Sequence, residues 1–212
     1  MLITGVDEVG YGALAGPIVA AAVTMEIPYP RHKLTRFWPM SSVKDSKKTT
    51  KPQRIRLASS LTTFLVHKEA GVGIGVVPAS RIDVLGYSEA ADEARRLAVE
   101  RATAVDGLRP DLVIVDGTIP ISRLRIPQQC IPQADAQYWL VAAASILAKI
   151  YRDTKMVRAA TRHPEYGWEQ NMGYAGGSIQ DSPHICALVD HGLTSMHRRQ
   201  PCQKVLRKRA AR

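Results

Sequence analysis

Residues 18–23 read Ile-Val-Ala-Ala-Ala-Val, with no polar interruption. A strand with one wet face alternates apolar and polar residues, whereas a continuous run of this length belongs to a strand covered on both faces. The natural setting is a sheet with helices packed against it, an α/β chain. A second such run, Leu112-Val113-Ile114-Val115, repeats the signal. Strands are therefore expected at 2–6, 17–25, 72–77 and 112–115, with a weaker one near 124–131.

Helical periods fall between them. Pro52 suits a first turn, and Ile55, Ala58, Leu61 and Leu65 follow at three- and four-residue spacing. Ser88 is placed to cap a helix carrying Ala91, Ala94, Leu97, Ala98 and Ala102. The clearest helix begins after Asp135 and carries Leu140, Ala144, Leu147 and Tyr151 on one stripe. Its alanines at 142, 143, 144 and 148 allow close approach to a sheet. Residues 28–51, rich in Pro and Lys, read as a long excursion. Residues 163–182, dense in Gly, Pro and aromatics, read as a structured loop system.

The 212 residues, 45% of them hydrophobic, suit one domain with a small C-terminal portion. No apolar stretch reaches the roughly 18 residues that span a membrane, and no signal peptide is visible at Met1 to Val6. Cys130, Cys186 and Cys202 are odd in number and lack metal-ligand spacing, which fits a reducing compartment. A cytoplasmic, monomeric protein without membrane contact is the expectation.

Lys and Arg total 29 against 19 acids, a net charge of +10. The cations gather at Lys44, Lys47, Lys48 and Lys51, at Arg198-Arg199, and in a tail with Lys204, Arg207, Lys208, Arg209 and Arg212. Clustered positive charge points to a polyanionic partner, most simply nucleic acid. Charge alone leaves the tail, 201–212, as a disordered basic arm.

Against that background the acids stand out. Asp7 and Glu8 sit side by side where an apolar run meets Gly10-Tyr11-Gly12. Neighbouring side chains on a strand point to opposite faces, so the pair converges only where the strand ends or twists. Two such charges beside an apolar run require a cation. Asp116 ends the 112–115 strand and precedes Gly117, at the carboxyl edge where open α/β sheets build their sites. Asp135 precedes the alanine-rich helix and suits its N-cap, or aims at the same cleft. An all-oxygen set of four acids favours a hard cation, Mg²⁺ or Mn²⁺. Acids inside a basic protein fit phosphodiester hydrolysis: the cations hold the polyanion, and metal ions shield the phosphate from the carboxylates. His163, His184, His191 and His197 lack ligand spacing and read as surface or structural residues. Ser145, inside a helix without an elbow turn, is no serine nucleophile.

Several blocks resemble one family. Residues 5–17, Gly-Val-Asp-Glu-Val-Gly-Tyr-Gly-Ala-Leu-Ala-Gly-Pro, resemble the opening motif of ribonuclease HII. The likeness continues through Asp45-Ser46-Lys47-Lys48, Asp116-Gly117, Ala134-Asp135-Ala136 and residues 142–153, and on to His197-Arg198-Arg199. The resemblance implies a ribonuclease H-like fold, with a central mixed sheet flanked by helices and a small helical C-terminal part. It divides the chain into a catalytic domain at 1–160, a substrate-binding portion packed on it at 161–200 and the basic tail. It implies catalytic and metal-ligating roles for Asp7, Glu8, Asp116 and Asp135. The implied substrates are RNA/DNA hybrids and duplex DNA carrying ribonucleotides, cut on the 5′ side of the ribonucleotide.

Substrate contacts implied by the resemblance are Gly10, Tyr11, Gly12, Lys47, Lys48 and Tyr174. The family tripeptide is usually Gly-Arg-Gly, so Tyr11 is a departure. Two other readings stay open: a ribonuclease HIII-like enzyme that cuts hybrids but not single ribonucleotides, and a non-catalytic basic nucleic-acid binder.

Overall fold

The uninterrupted apolar run lies in β2 (Ile18–Glu26), where residues 18 to 24 are all buried. A computed structural model describes residues 1–27, 51–104, 107–178 and 180–211. With β1 (Leu2–Val9), β3 (Gly71–Val77), β4 (Leu112–Asp116) and β5 (Gln128–Ile131), β2 forms a sheet of order β3-β2-β1-β4-β5. β1 is antiparallel to β2 and parallel to β4, and β4 is parallel to β5. The chain is thus α/β with a mixed sheet, and the strands fall close to their expected places. The exception is β1, which runs through the acids instead of ending before them. Its antiparallel ladder with β2 continues to Val9 opposite Val19.

The helices are α1 (Lys51–His67), α2 (Ala79–Leu85), α3 (Tyr87–Ala104), α4 (Trp139–Ala160), α5 (Trp168–Asn171), α6 (Pro183–His191) and α7 (Arg199–Ala210). No helix among the described residues is long and apolar enough to cross a membrane. The chain divides into two compact units, both discontinuous in sequence. The first holds 1–9, 19–76 and 91–150; the second holds 10–18, 77–90 and 151–212.

In the first unit, Val19, Ala21 and Val23 of β2 pack with Ala58, Leu61 and Leu65 of α1 and with Leu140, Ala144 and Ala148 of α4. Close approach depends on missing side chains. A Cβ at Gly5 of β1 would overlap the α4 backbone at Leu140 and Val141. On β3 the glycines alternate, Gly71, Gly73 and Gly75, and a Cβ on each would strike the α3 carbonyls of Ala102, Ala98 and Ala94. Period two on the strand meets a turn-by-turn alanine row on the helix, so backbone lies on backbone. The expected α4 stripe ends early: Leu140 and Ala144 are buried, but Tyr151 is 39% exposed under the Lys155 ammonium. Ser88 does not cap α3. It lies one residue inside, and the Gly86 carbonyl accepts from the Ala90 amide.

The second unit has its own core of Leu14, Met156, Tyr166, Trp168, Ile185, Leu188 and Cys202. Ser182 caps α6 by accepting from the Ile185 amide, with Pro183 in the first turn. The basic tail is not a disordered arm. Cys202, Val205 and Leu206 put an apolar stripe on α7 against this core, which folds the tail as a helix to Ala210. All three cysteines are free.

The four histidines set apart by sequence gather around one ring, each within aromatic contact of Tyr166. Their bonding fixes the tautomers of two. His184 donates from Nδ1 to the Tyr174 carbonyl at 2.9 Å, so its Nε2 accepts from the Trp168 indole at 3.2 Å and from His197 Nε2 at 3.1 Å. His197 Nδ1 accepts from the Thr194 amide at 2.9 Å. Every ring nitrogen of the pair is satisfied with both rings neutral. Burial, and then the neighbouring His184, push His197 down to about 3. These histidines are structural.

Replacing Gly73 by Ala should cost about 3 kcal/mol in urea unfolding, because helix and strand must separate; a variant within 0.5 kcal/mol would contradict backbone contact there. His197 binds a proton when unfolded but not when folded, between its ordinary value of 6.5 and about 3. Stability should therefore fall as pH drops through that window, and the His197 ring should show no NMR titration above pH 5.

Candidate functional site

Parallel pairing of β1 with β4 sets Val6 beside Val115, which brings Asp7, within β1, next to Asp116, the last residue of β4. Residues in register on adjacent strands share a face. Asp7 points with Gly5 toward α4, where the Ser145 side chain hydrogen-bonds its carboxylate. The close seat of α4 on Gly5 is what brings Ser145 within reach. Glu8 points the other way, toward α3, where Arg95 Nε stands 4.0 Å from Oε2. The acid pair is therefore divided between two helices, since the strand neither ends nor turns at it.

The electrostatics are unfavourable for these carboxylates. Asp7 is only 7% exposed. Burial first, then the charges of Asp116 and Glu8, raise its pKa to about 7, against the Ser145 hydrogen bond and the Glu8 amide. Glu8 is also raised by burial, with Arg95 opposing. Its buried Oε2 and the Arg95 Nε lack a hydrogen bond. Arg95 is itself buried and donates to the Ile119 carbonyl at 3.4 Å.

Asp116 is oriented by the Ala134 amide, which donates to Oδ1 at 2.7 Å. That bond draws the turn bearing Asp135 toward the end of β4. Asp135 lies in a 3-10 turn, Ala134–Ala136, and α4 begins only at Trp139, so it does not cap the long helix. Gln133 enters this turn with φ of 57°, a left-handed step that separates it from the strand. Asp7, Glu8 and Asp116 are thus mutually coupled, and Asp135 follows the amide that holds Asp116. Among the described residues, no three His, Cys, Asp or Glu stand in a ready-made metal cluster. The donor set nevertheless fits a hard cation: it is all oxygen, and at buried Asp7 and half-buried Glu8 its charge is disfavoured.

Sequence reasoning missed Arg95, Asp92 and the part played by Ser145. Asp92 accepts from the Ser122 amide at 2.8 Å and so secures the loop after β4. An Asp and an Arg three residues apart on an alanine-rich helix were the available signal that this face carries polar groups, though not that Arg95 faces Glu8.

The remaining substrate candidates lie in the second unit. Gly10 takes φ of 93°, and a Cβ there would strike the Arg152 side chain and the Pro17 carbonyl. Tyr11 is 46% exposed, its ring 5.6 Å from Tyr87 and its hydroxyl 3.4 Å from that of Ser88. Tyr174 lies under the Arg152 guanidinium, 5.1 Å from its ring centre. Lys47 and Lys48 lie outside the described residues.

Comparison with known proteins bears on the family and the fold. The family described as "Ribonuclease HII" matches residues 4–204. A ribonuclease HII of Erythrobacter litoralis is 41% identical over 199 residues, covering 92% of this chain and 84% of that protein. The ribonuclease H2 structure from Pyrococcus horikoshii superposes with a TM-score of 0.76 at 24% identity, over the whole of both chains. That of Bst ribonuclease HIII in complex with Mn²⁺ gives 0.71 at 21% identity, over 100% of this chain and 71% of the other. The chain belongs to the ribonuclease HII family and is an endoribonuclease, a hydrolase.

Proposed function

We propose that the chain is a divalent-cation-dependent enzyme that cuts the RNA strand of RNA/DNA hybrids, and duplex DNA on the 5′ side of an embedded ribonucleotide. It leaves a 3′-hydroxyl and a 5′-phosphate. The observation that carries the reading is the placement of Asp7 beside Asp116 on adjacent parallel strands, with Glu8 next to them, in a chain of net charge +10.

Without a cation these acids would repel a phosphodiester that the rest of the chain attracts. Asp7, Glu8, Asp116 and Asp135 would hold Mg²⁺ or Mn²⁺. When bound, such ions neutralise the phosphate, lower the pKa of water and stabilise the leaving oxygen. The protein side of the task is orientation. Ser145 holds the Asp7 carboxylate, the Ala134 amide holds that of Asp116, and Arg95 favours the ionised form of Glu8. Bst ribonuclease HIII, solved with Mn²⁺, supports the choice of cation class.

Specificity follows from the turn after the acids. Only the 2′-hydroxyl distinguishes RNA from DNA locally, and glycines at 10 and 12 let backbone groups approach it. Tyr11 would meet the duplex beside that contact, and Tyr174 would pack on a neighbouring sugar. Removal of embedded ribonucleotides and RNA primers during DNA repair and replication is the role that fits this specificity.

With Mg²⁺ or Mn²⁺, the protein should cut both a full hybrid and a duplex carrying a single ribonucleotide. Cutting only the hybrid would assign the narrower HIII-like specificity, and cutting neither would overturn the proposal. Asp116→Asn should lower turnover at least roughly 100-fold with little change in duplex affinity, because it removes a ligand but not the basic surface.

A further inference from the structure

Arg198 is completely buried, yet the bonds it makes to the 10–16 segment are all to backbone carbonyls: Gly16 at 3.0 Å, Tyr11 at 2.8 Å and Gly10 at 2.6 Å. Its guanidinium lies 5.5 Å from the centre of the Tyr87 ring, and Tyr87 in turn flanks Tyr11. Burying a cation is costly, and three carbonyl dipoles converging on it offset that cost. The arrangement fixes those carbonyls. Carbonyls held inward at Gly10 and Tyr11 set both planes of the 10–12 peptides, since each peptide is rigid. Among the described residues, no backbone carbonyl accepts from the amides of Tyr11 or Gly12. The turn therefore presents open donors on a frame that Arg198 holds from behind.

Arg152 braces the far end of the same segment, donating to Ala15, Pro17 and Met172 carbonyls. It makes no bond to the carbonyls of the tripeptide itself. Control of the tripeptide rests with Arg198, which lies 188 residues away from Gly10 in the chain.

We propose that Arg198 is a specificity-determining positioning residue, holding the Gly10-Tyr11-Gly12 backbone in the one conformation that distinguishes a ribonucleotide from a deoxyribonucleotide, with Tyr87 seating its guanidinium. This rests on the reading that the turn faces the ribose. A planar fork is required: Lys keeps the charge but brings one nitrogen where three carbonyls must be met in fixed directions.

The test is equilibrium binding of the full-length protein, by fluorescence anisotropy in EDTA, to a labelled DNA duplex carrying one ribonucleotide and to its all-DNA counterpart. Wild type should prefer the first. Arg198→Lys should reduce that preference about tenfold while leaving all-DNA affinity within twofold. Tyr87→Phe should keep the preference, and Tyr87→Leu should lose several-fold of it. Equal loss on both duplexes, or no loss on either, overturns the proposal. If Arg198→Lys does not fold, Tyr87→Leu decides in the same way: an unchanged ratio overturns the proposal and a fallen ratio supports it. No preference in wild type sinks the ribose-facing reading as well, whereas preference retained in Arg198→Lys and Tyr87→Leu sinks only the role of Arg198.

Discussion

Asp7 and Asp116 stand together because β1 and β4 are parallel in a register that pairs Val6 with Val115. Other features of the acid site follow from this juxtaposition. The helix over that face comes close because Gly5 has no side chain, and the approach brings Ser145 to Asp7. The same closeness removes water, so the carboxylates hold charge at a cost. That cost is a property of the fold, and it is what the proposed cation would relieve.

The architecture was largely readable from periodicity. Continuous apolar runs marked the covered strands, and alanine rows marked the helices that approach them. Asp7 and Glu8 stood out for a different reason, since paired charge beside an apolar run is costly. Asp116 also suited a turn and Asp135 a helix cap, and the family resemblance was what joined all four. What could not be read was anything set by pairing over distance. The extension of β1 to Val9 depends on β2, and the separation of Asp135 from α4 depends on a left-handed step at Gln133. The tail looked disordered because its charges mask the Cys202, Val205 and Leu206 stripe. Arg95 was invisible as a partner for Glu8 because a long stretch of chain separates them and no local rule joins the two.

The second unit shows how a polar interior can be specified largely through neutral acceptors. Arg152 and Arg198 direct their donors to carbonyls, and His184 and His197 remain neutral in a closed set of hydrogen bonds. Each network ties together segments distant in sequence, around the 10–17 turn in the first case and around Tyr166 and Trp168 in the second. Such groups fix geometry where apolar packing alone would allow several arrangements.

Burial and the neighbouring acids raise Asp7 to about 7, so part of it carries a proton near neutrality, and on the proposed reading a cation would displace that proton. Below that value Asp7 would have to lose a proton to serve as the ligand proposed above. Calorimetric titration of the full-length protein with Mg²⁺ across pH measures this directly. Affinity should rise roughly tenfold per unit of pH below about 7 and level off above it, with proton release in the lower range. Affinity that does not change between pH 6 and 8, with no proton released, would contradict that protonation state.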